Sequence, residues 1–143
     1  MEEIPAQRDV DEFILRRIDS VPHLEALLLL WTSQPRVWSV DDMAKALYVR
    51  TDMAQAILED LAQRELISVV PNQPQRYVYA VHSDGQNELM QAVDRSYRHE
   101  LVRISTMIHS KASSLRDFAR AFRFTKEKEI DFTKEKDKDK ENH

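Results

Sequence analysis

Between Trp38 and Val81 the spacing of apolar residues changes period, and that change limits the folds open to the chain. Met43, Ala44 and Leu47 fit one face of a short helix, and Val49 closes a tight turn behind it. Ala54, Ile57, Leu58 and Leu61 then recur at spacings of three, one and three, the stripe of a second helix. From Leu66 to Val70, and again from Tyr77 to Val81, helical spacing gives way to β-rich runs. Pro71 to Arg76 lies between them, a polar loop broken by Pro71 and Pro74. The stretch therefore predicts helix, turn, helix, strand, loop, strand.

A helix-turn-helix joined directly to a β-hairpin is the layout of a winged helix, a DNA-docking scaffold. Ser39-Val40-Asp41-Asp42-Met43-Ala44-Lys45-Ala46-Leu47 resembles the helix-2 pattern of the MarR-type winged-helix superfamily, where a small polar cap leads into a Leu-Ala pair and then a Leu. Ala54, Ile57, Leu58 and Leu61 fall, without a gap, in the register of that family's recognition-helix core, and Leu66-Ile67 in that of its closing Gly-Leu-Ile. The match covers about a third of the chain. Glu65 stands where the family usually has glycine, and the positions that should face DNA are not basic. The resemblance implies a DNA-binding transcriptional regulator.

The remaining chain extends this unit on both sides. Residues 1–9 are polar and read as a flexible N-terminus, and 10–82 as a winged-helix domain with an N-terminal helix marked by Val10, Phe13, Ile14 and Ile18 and opened near Asp9 or Asp11. Ser20 and Pro22 fit the start of the next helix, which carries Leu24, Leu27, Leu28 and Trp31 and ends at Ser33-Gln34-Pro35. Val37-Trp38 reads as a short strand against the wing. Residues 84–124 read as one long helix, with apolar residues at Val93, Tyr97, Leu101, Ile104, Ile108, Leu115, Phe118 and Phe122. Val93, Ile104 and Leu115 are eleven residues apart, a period close to that of the α-helix itself, so the stripe is nearly straight. Such a helix would be about 60 Å long, against a radius of gyration of about 13 Å for a compact domain. Its apolar face then needs a cover: a second copy, another protein, or a bend, for which Ser110, Ser113 and Ser114 are the weakest helix formers. Residues 125–143 alternate Lys with Asp and Glu, the Phe-Thr-Lys-Glu-Lys that begins at Phe124 recurs from Phe132, and the segment reads as a disordered charged tail. The expected fold is thus mainly α with a small β-hairpin wing, a winged helix-turn-helix plus a long C-terminal helix.

Composition removes several functions. Cysteine is absent, so thiolate chemistry and disulfide frameworks are out, and a cytoplasmic location is the default. The only glycine is Gly85, which excludes glycine-rich phosphate loops. The acidic start Met1-Glu2-Glu3 lacks the basic region of a secretory leader, and the apolar run Leu24–Trp31 is too short to span a bilayer. No membrane partner is expected. His23, His82, His99, His109 and His143 are scattered, and the adjacent pairs Asp41-Asp42 and Glu59-Asp60 diverge on a helix. No catalytic, cofactor-binding or metal site is expected, and no enzyme.

The second helix of the motif decides the partner. Gln55 can pair bidentately with adenine, and Thr51 can touch a phosphate or a thymine methyl. Arg50 sits at the helix start, where backbone N–H groups also favour phosphate, and Arg76 ends the wing loop. Against double-stranded DNA stand Asp52, Glu59 and Asp60, and a net charge of −4. From Gln86 to Lys126, however, eight cations face four carboxylates, with Arg116, Arg120, Arg123 and Lys126 among Phe118, Phe122 and Phe124. That end reads either as a solvated face flanking an aromatic interface or as a patch for phosphate or an acidic partner. Two readings stay open: a DNA-binding regulator, dimeric through its terminal helices, and a winged-helix adaptor for a protein partner.

Overall fold

The computed structural model describes residues 6–80, 83–111 and 120–121. The chain divides into two compact units, Met1–His109 and Ser110–His143. Everything below concerns the first unit. Of the second, residues 110–111 and 120–121 are described, and they are helical.

Among the described residues of the first unit, six helices and three strands follow one another in the order expected of a winged helix. They are α1 (Gln7–Arg17), α2 (Val21–Thr32), β1 (Trp38–Ser39), α3 (Val40–Leu47), α4 (Thr51–Gln63), β2 (Ile67–Val69), β3 (Arg76–Tyr79) and α5 (Asp84–His99), then α6, which occupies residues 101–109 of this unit. Helix α2 is the centre of the core. Leu24, Ala26, Leu27, Leu28 and Leu30 are all buried, as befits a helix apolar on nearly every side. Its start is fixed by Ser20, whose hydroxyl accepts the His23 N–H at 3.3 Å, with Pro22 in the first turn. Helix α1 opens at Gln7, two residues before the first of its expected acids: Ala6 is the cap, and the Asp9 carboxylate accepts the Ala6 N–H at 3.1 Å.

Helices α3 and α4 form the helix-turn-helix. A reciprocal cap opens α3. The Ser39 hydroxyl accepts the Asp42 N–H at 3.0 Å and the Asp42 carboxylate accepts the Ser39 N–H at 3.4 Å. Tyr48 ends α3 in the left-handed conformation, at φ 56°. Ala54, Ile57, Leu58 and Leu61 of α4 are buried in one cluster with Met43 and Leu47 of α3 and with Leu24, Leu27 and Leu30 of α2. The strands form an antiparallel sheet in the order β1-β3-β2. Tyr77 lies opposite Trp38 on one side and Val69 on the other, and Ser39 lies opposite Arg76. Glu65, at φ 61°, occupies the left-handed turn between α4 and β2, the position where glycine was expected from the family resemblance.

One expectation is corrected. The long helix is not continuous through the described residues. Helix α5 ends at His99, and Glu100 leaves the helical region at φ −129°, ψ 45°. The Glu100 carbonyl then accepts the Ile104 N–H at 2.9 Å and starts α6. Glycine and proline play no part in the break. What favours it is burial: Ile104 and Ile108 are fully enclosed and belong to the same apolar cluster as Val10, Ile14 and Val93. Arg103 ties α6 to α1 through both Asp11 oxygens at 3.2 and 3.0 Å. Those two bonds, with one to Glu100, hold its guanidinium above the usual arginine range. The stripe expected to await a partner is thus covered in part by the chain itself.

Candidate nucleic-acid interface

The sheet register brings the wing to the start of α4. Because Arg76 pairs with Ser39, the wing loop lies over the junction of β1 and α3. A cleft of about 200 Å³ opens there, lined by Ser39, Asp41, Thr51, Gln55, Pro74, Gln75 and Arg76. Three of the four residues singled out for DNA contact, Thr51, Gln55 and Arg76, therefore share one cleft. Arg50 does not line it. Its guanidinium lies 3.3 Å from the Asp52 carboxylate, with the two side chains 87% and 71% exposed. Arg50 caps α4 through extended backbone without a side-chain bond, but the Asp52 carboxylate accepts the Met53 N–H at 2.9 Å, so one of the first-turn N–H groups that would attract phosphate is already taken.

The face carries both signs of charge. Arg76, Arg50 and Lys45 are exposed, but so are Asp41, Asp52 and Glu59. Gln55 is not free: its Nε2 donates to the Glu59 carboxylate at 2.9 Å, one turn along α4. Arg36 stacks on Trp38, 4.0 Å from the ring centre. The Asp42 carboxyl is held below its usual range, first by the Ser39 N–H, then by the Ser39 hydroxyl, with smaller help from the charges of Arg36 and Arg76. Burial pushes the Tyr77 hydroxyl above its usual range, and the charge of Glu59 adds to that. Glu59 thus lies within electrostatic reach of the wing's middle strand.

At the other end of α4 lies a cluster that pattern reading did not find. His23 Nε2 donates to Asp60 at 2.9 Å, and the Ser20 hydroxyl meets His23 Nδ1 at 2.6 Å. Arg64 donates to both Asp19 oxygens at 2.8 and 2.9 Å, and Arg17 donates to the Arg64 carbonyl at 2.6 Å. The donor atoms of Asp19, His23 and Asp60 lie within 4.8 Å of one another, close enough to consider a metal. Each is already engaged, however: a cation would have to displace Arg64 from Asp19 and the proton from His23. The hydroxyl–imidazole–carboxylate order is also that of an acyl-transfer triad. Here the Ser20 hydroxyl serves as the α2 cap, and the His23 side chain is only 13% exposed. The cluster is a strap between the α1–α2 corner and α4. Ser20 and His23 carry a local signal, the cap spacing; Asp60, 37 residues from His23, carries none.

The residues expected at a partner interface divide. Val93, Ile104 and Ile108 are buried in the chain's own core. Tyr97 is half-buried, and its hydroxyl donates to Glu25 at 2.7 Å. Burial, then Glu25, raises the Tyr97 hydroxyl well above its usual range. Tyr97 also lines a second cavity of about 280 Å³, with Glu25, Leu28, Leu29 and Arg98. Leu101 is 50% exposed and its neighbour Val102 79%. Leu115, Phe118 and Phe122 lie outside the described residues, as do His82, His143 and the charged tail.

No family model matches the chain. No curated protein matches it either. Among solved structures it is similar to the crystal structure of MepR, a transcription regulator of the Staphylococcus aureus multidrug efflux pump MepA. The identity is 16%, over 82% of this chain and 87% of that chain, with a TM-score of 0.47. At that score the likeness carries no argument. What identifies the winged helix is the chain's own element order, its three-stranded register and the packing of α4 on α2 and α3.

Proposed function

We propose that the protein is a winged-helix transcriptional regulator that docks double-stranded DNA with α4 and the wing and acts as a homodimer. The observation that carries this reading is the convergence of Thr51, Gln55 and Arg76 on one cleft. A hydroxyl, an amide and a guanidinium at the start of a helix and the end of a wing are the groups that hold phosphate and read base edges. The sequence resemblance to MarR-type regulators points the same way. For self-association, Leu101 and Val102 at the start of α6 and Leu15 on α1 supply exposed apolar surface. The test is a gel shift of a mixed-sequence duplex at two salt concentrations. Binding at low salt that weakens as salt rises is the expected result.

A second reading has its own observation. Asp41 lines the same cleft, Asp52 and Glu59 are exposed on α4, and Arg50 is partnered by Asp52. A face of this kind suits a basic protein segment, which would make the chain an adaptor. A folded protein that ignores duplex DNA at low salt would favour it.

A further inference from the structure

The hydrogen bond between Gln55 and Glu59 gives the acidic residue of α4 a role other than repulsion. We infer that Gln55 and Glu59 act as one reading unit, selecting an adenine and a cytosine one or two base steps apart. The inference rests on the DNA-binding reading above and names what that site would prefer.

The geometry is as follows. Residues 55 and 59 stand one turn apart on α4, separated by about 6 Å along the axis. Successive bases are about 3.4 Å apart along a DNA strand, so two such side chains reach bases one or two steps apart. Gln55 Nε2 donates to Glu59 Oε1 at 2.9 Å. That bond fixes which way the amide points. One N–H is used, leaving the second N–H and the carbonyl oxygen side by side. A donor beside an acceptor matches the N7 and N6–H₂ of adenine. Without Glu59 the amide could turn over and present the pair in either sense.

Glu59 keeps acceptor capacity after that bond, since a carboxylate offers about four lone-pair sites. In the major groove, cytosine offers the N4–H₂ donor with no acceptor of its own beside it, whereas adenine sets its N6–H₂ next to the N7 acceptor, guanine offers only acceptors, and thymine an acceptor and a methyl. A carboxylate aimed at guanine or thymine meets oxygen or nitrogen lone pairs and is repelled. The acid thus lowers general affinity while sharpening the choice of base, which is how an acidic group serves specificity. Both residues are placed for this. Gln55 lines the cleft under the wing, and Glu59 is exposed one turn further along the same helix, bonded to it.

The test selects from a library of duplexes with a randomised centre, using the full chain and three variants, with binding to a fixed mixed-sequence duplex at low salt measured alongside. The wild type is expected to enrich A·T and C·G pairs at fixed spacing. Gln55→Ala should lose the adenine preference. Glu59→Gln keeps an acceptor for Gln55, so it should retain adenine and lose cytosine, by about tenfold in enrichment. Glu59→Ala should lose cytosine and blur adenine, because nothing then orients the amide. Both Glu59 variants should bind the fixed duplex more tightly than the wild type, since a carboxylate has left the face. If Glu59→Ala keeps both base preferences, the reading unit is wrong and Glu59 is only a surface acid. If the wild type binds duplexes without base preference, the unit is also wrong while DNA binding stands. If the folded wild type binds no duplex at low salt, the regulator reading fails and this inference fails with it.

Discussion

The two ends of α4 are built differently. At its start the polar contacts are local and exposed: Arg50 to Asp52 at 3.3 Å, and Gln55 to Glu59 at 2.9 Å. At its end they are long-range: Asp60 to His23 across 37 residues, and Arg64 to Asp19 across 45. Exposed pairs between near neighbours contribute little, because water competes for both partners. They can be exchanged for a ligand at little cost. Ties from a half-buried residue on one element to another fix the helix at a set angle on the domain. The difference teaches that α4 is anchored at one end while the polar groups at the other stay exchangeable, the end offered to DNA in the proposed function.

The largest disruption of that comparison lies between the two ends. Leu58 is fully buried under the middle of α4. Leu58→Ala should cost about 2–5 kcal/mol, the transfer term plus a cavity, as read by urea denaturation. An unchanged midpoint would mean that the helix register is wrong. Next comes a direct contrast of the ends. Arg64→Ala removes both bonds to Asp19 and should cost about 1 kcal/mol, discounted for partial exposure. Arg50→Ala should change stability by less than about 0.5 kcal/mol. Equal losses would erase the distinction between anchor and offered end.

Glu65 sharpens the account of the anchored end. It turns the chain out of α4 at φ 61°, where a side chain is strained and glycine is not. Glu65→Gly should raise stability by about 1 kcal/mol, seen as a higher thermal midpoint. A loss would show that the Glu65 side chain contributes more than the strain it imposes.

The smallest effect concerns the cap beside the cleft. The folded-state pKa of Asp42 lies below the usual 3.8, chiefly because its carboxylate accepts the Ser39 N–H. A lowered pKa contributes stability that is present above 3.8 and is lost as the pH falls through the depressed value. The stability gap between wild type and Asp42→Asn should therefore be constant near neutrality and close in acid below about pH 4. A gap that widens in acid would mean that the carboxyl is bonded in its protonated form.

Much of this fold is legible from local pattern. Ser20 and Ser39 announce their helices because an N-cap needs only its own first turn. Leu58 and its neighbours announce α4 because burial follows the helical period. The wing follows from β-rich runs around a proline-bearing loop. The break at Glu100 was not legible. An apolar stripe has the same period whether its helix is straight or split, and the contact holding α6 to α1 joins Arg103 to Asp11 across 92 residues. The strap at Asp60 is hidden for the same reason. At the cleft, Thr51, Gln55 and Arg76 could be named from residue type and position. Their meeting depends on the pairing of Ser39 with Arg76, which no spacing predicts. The Gln55–Glu59 bond was within reach, since residues four apart on a helix are neighbours.

The central claim is that the cleft between α4 and the wing holds duplex DNA, and its salt dependence tests this most directly. The affinity of wild type and Arg76→Ala for one mixed-sequence duplex is to be measured across a series of salt concentrations, with circular dichroism confirming that both are folded. The account predicts that log K falls linearly with log salt for the wild type, and that Arg76→Ala binds more weakly with a slope shallower by about 0.9, the loss of one phosphate contact. Identical slopes, or no binding by the folded wild type at the lowest salt, would contradict it.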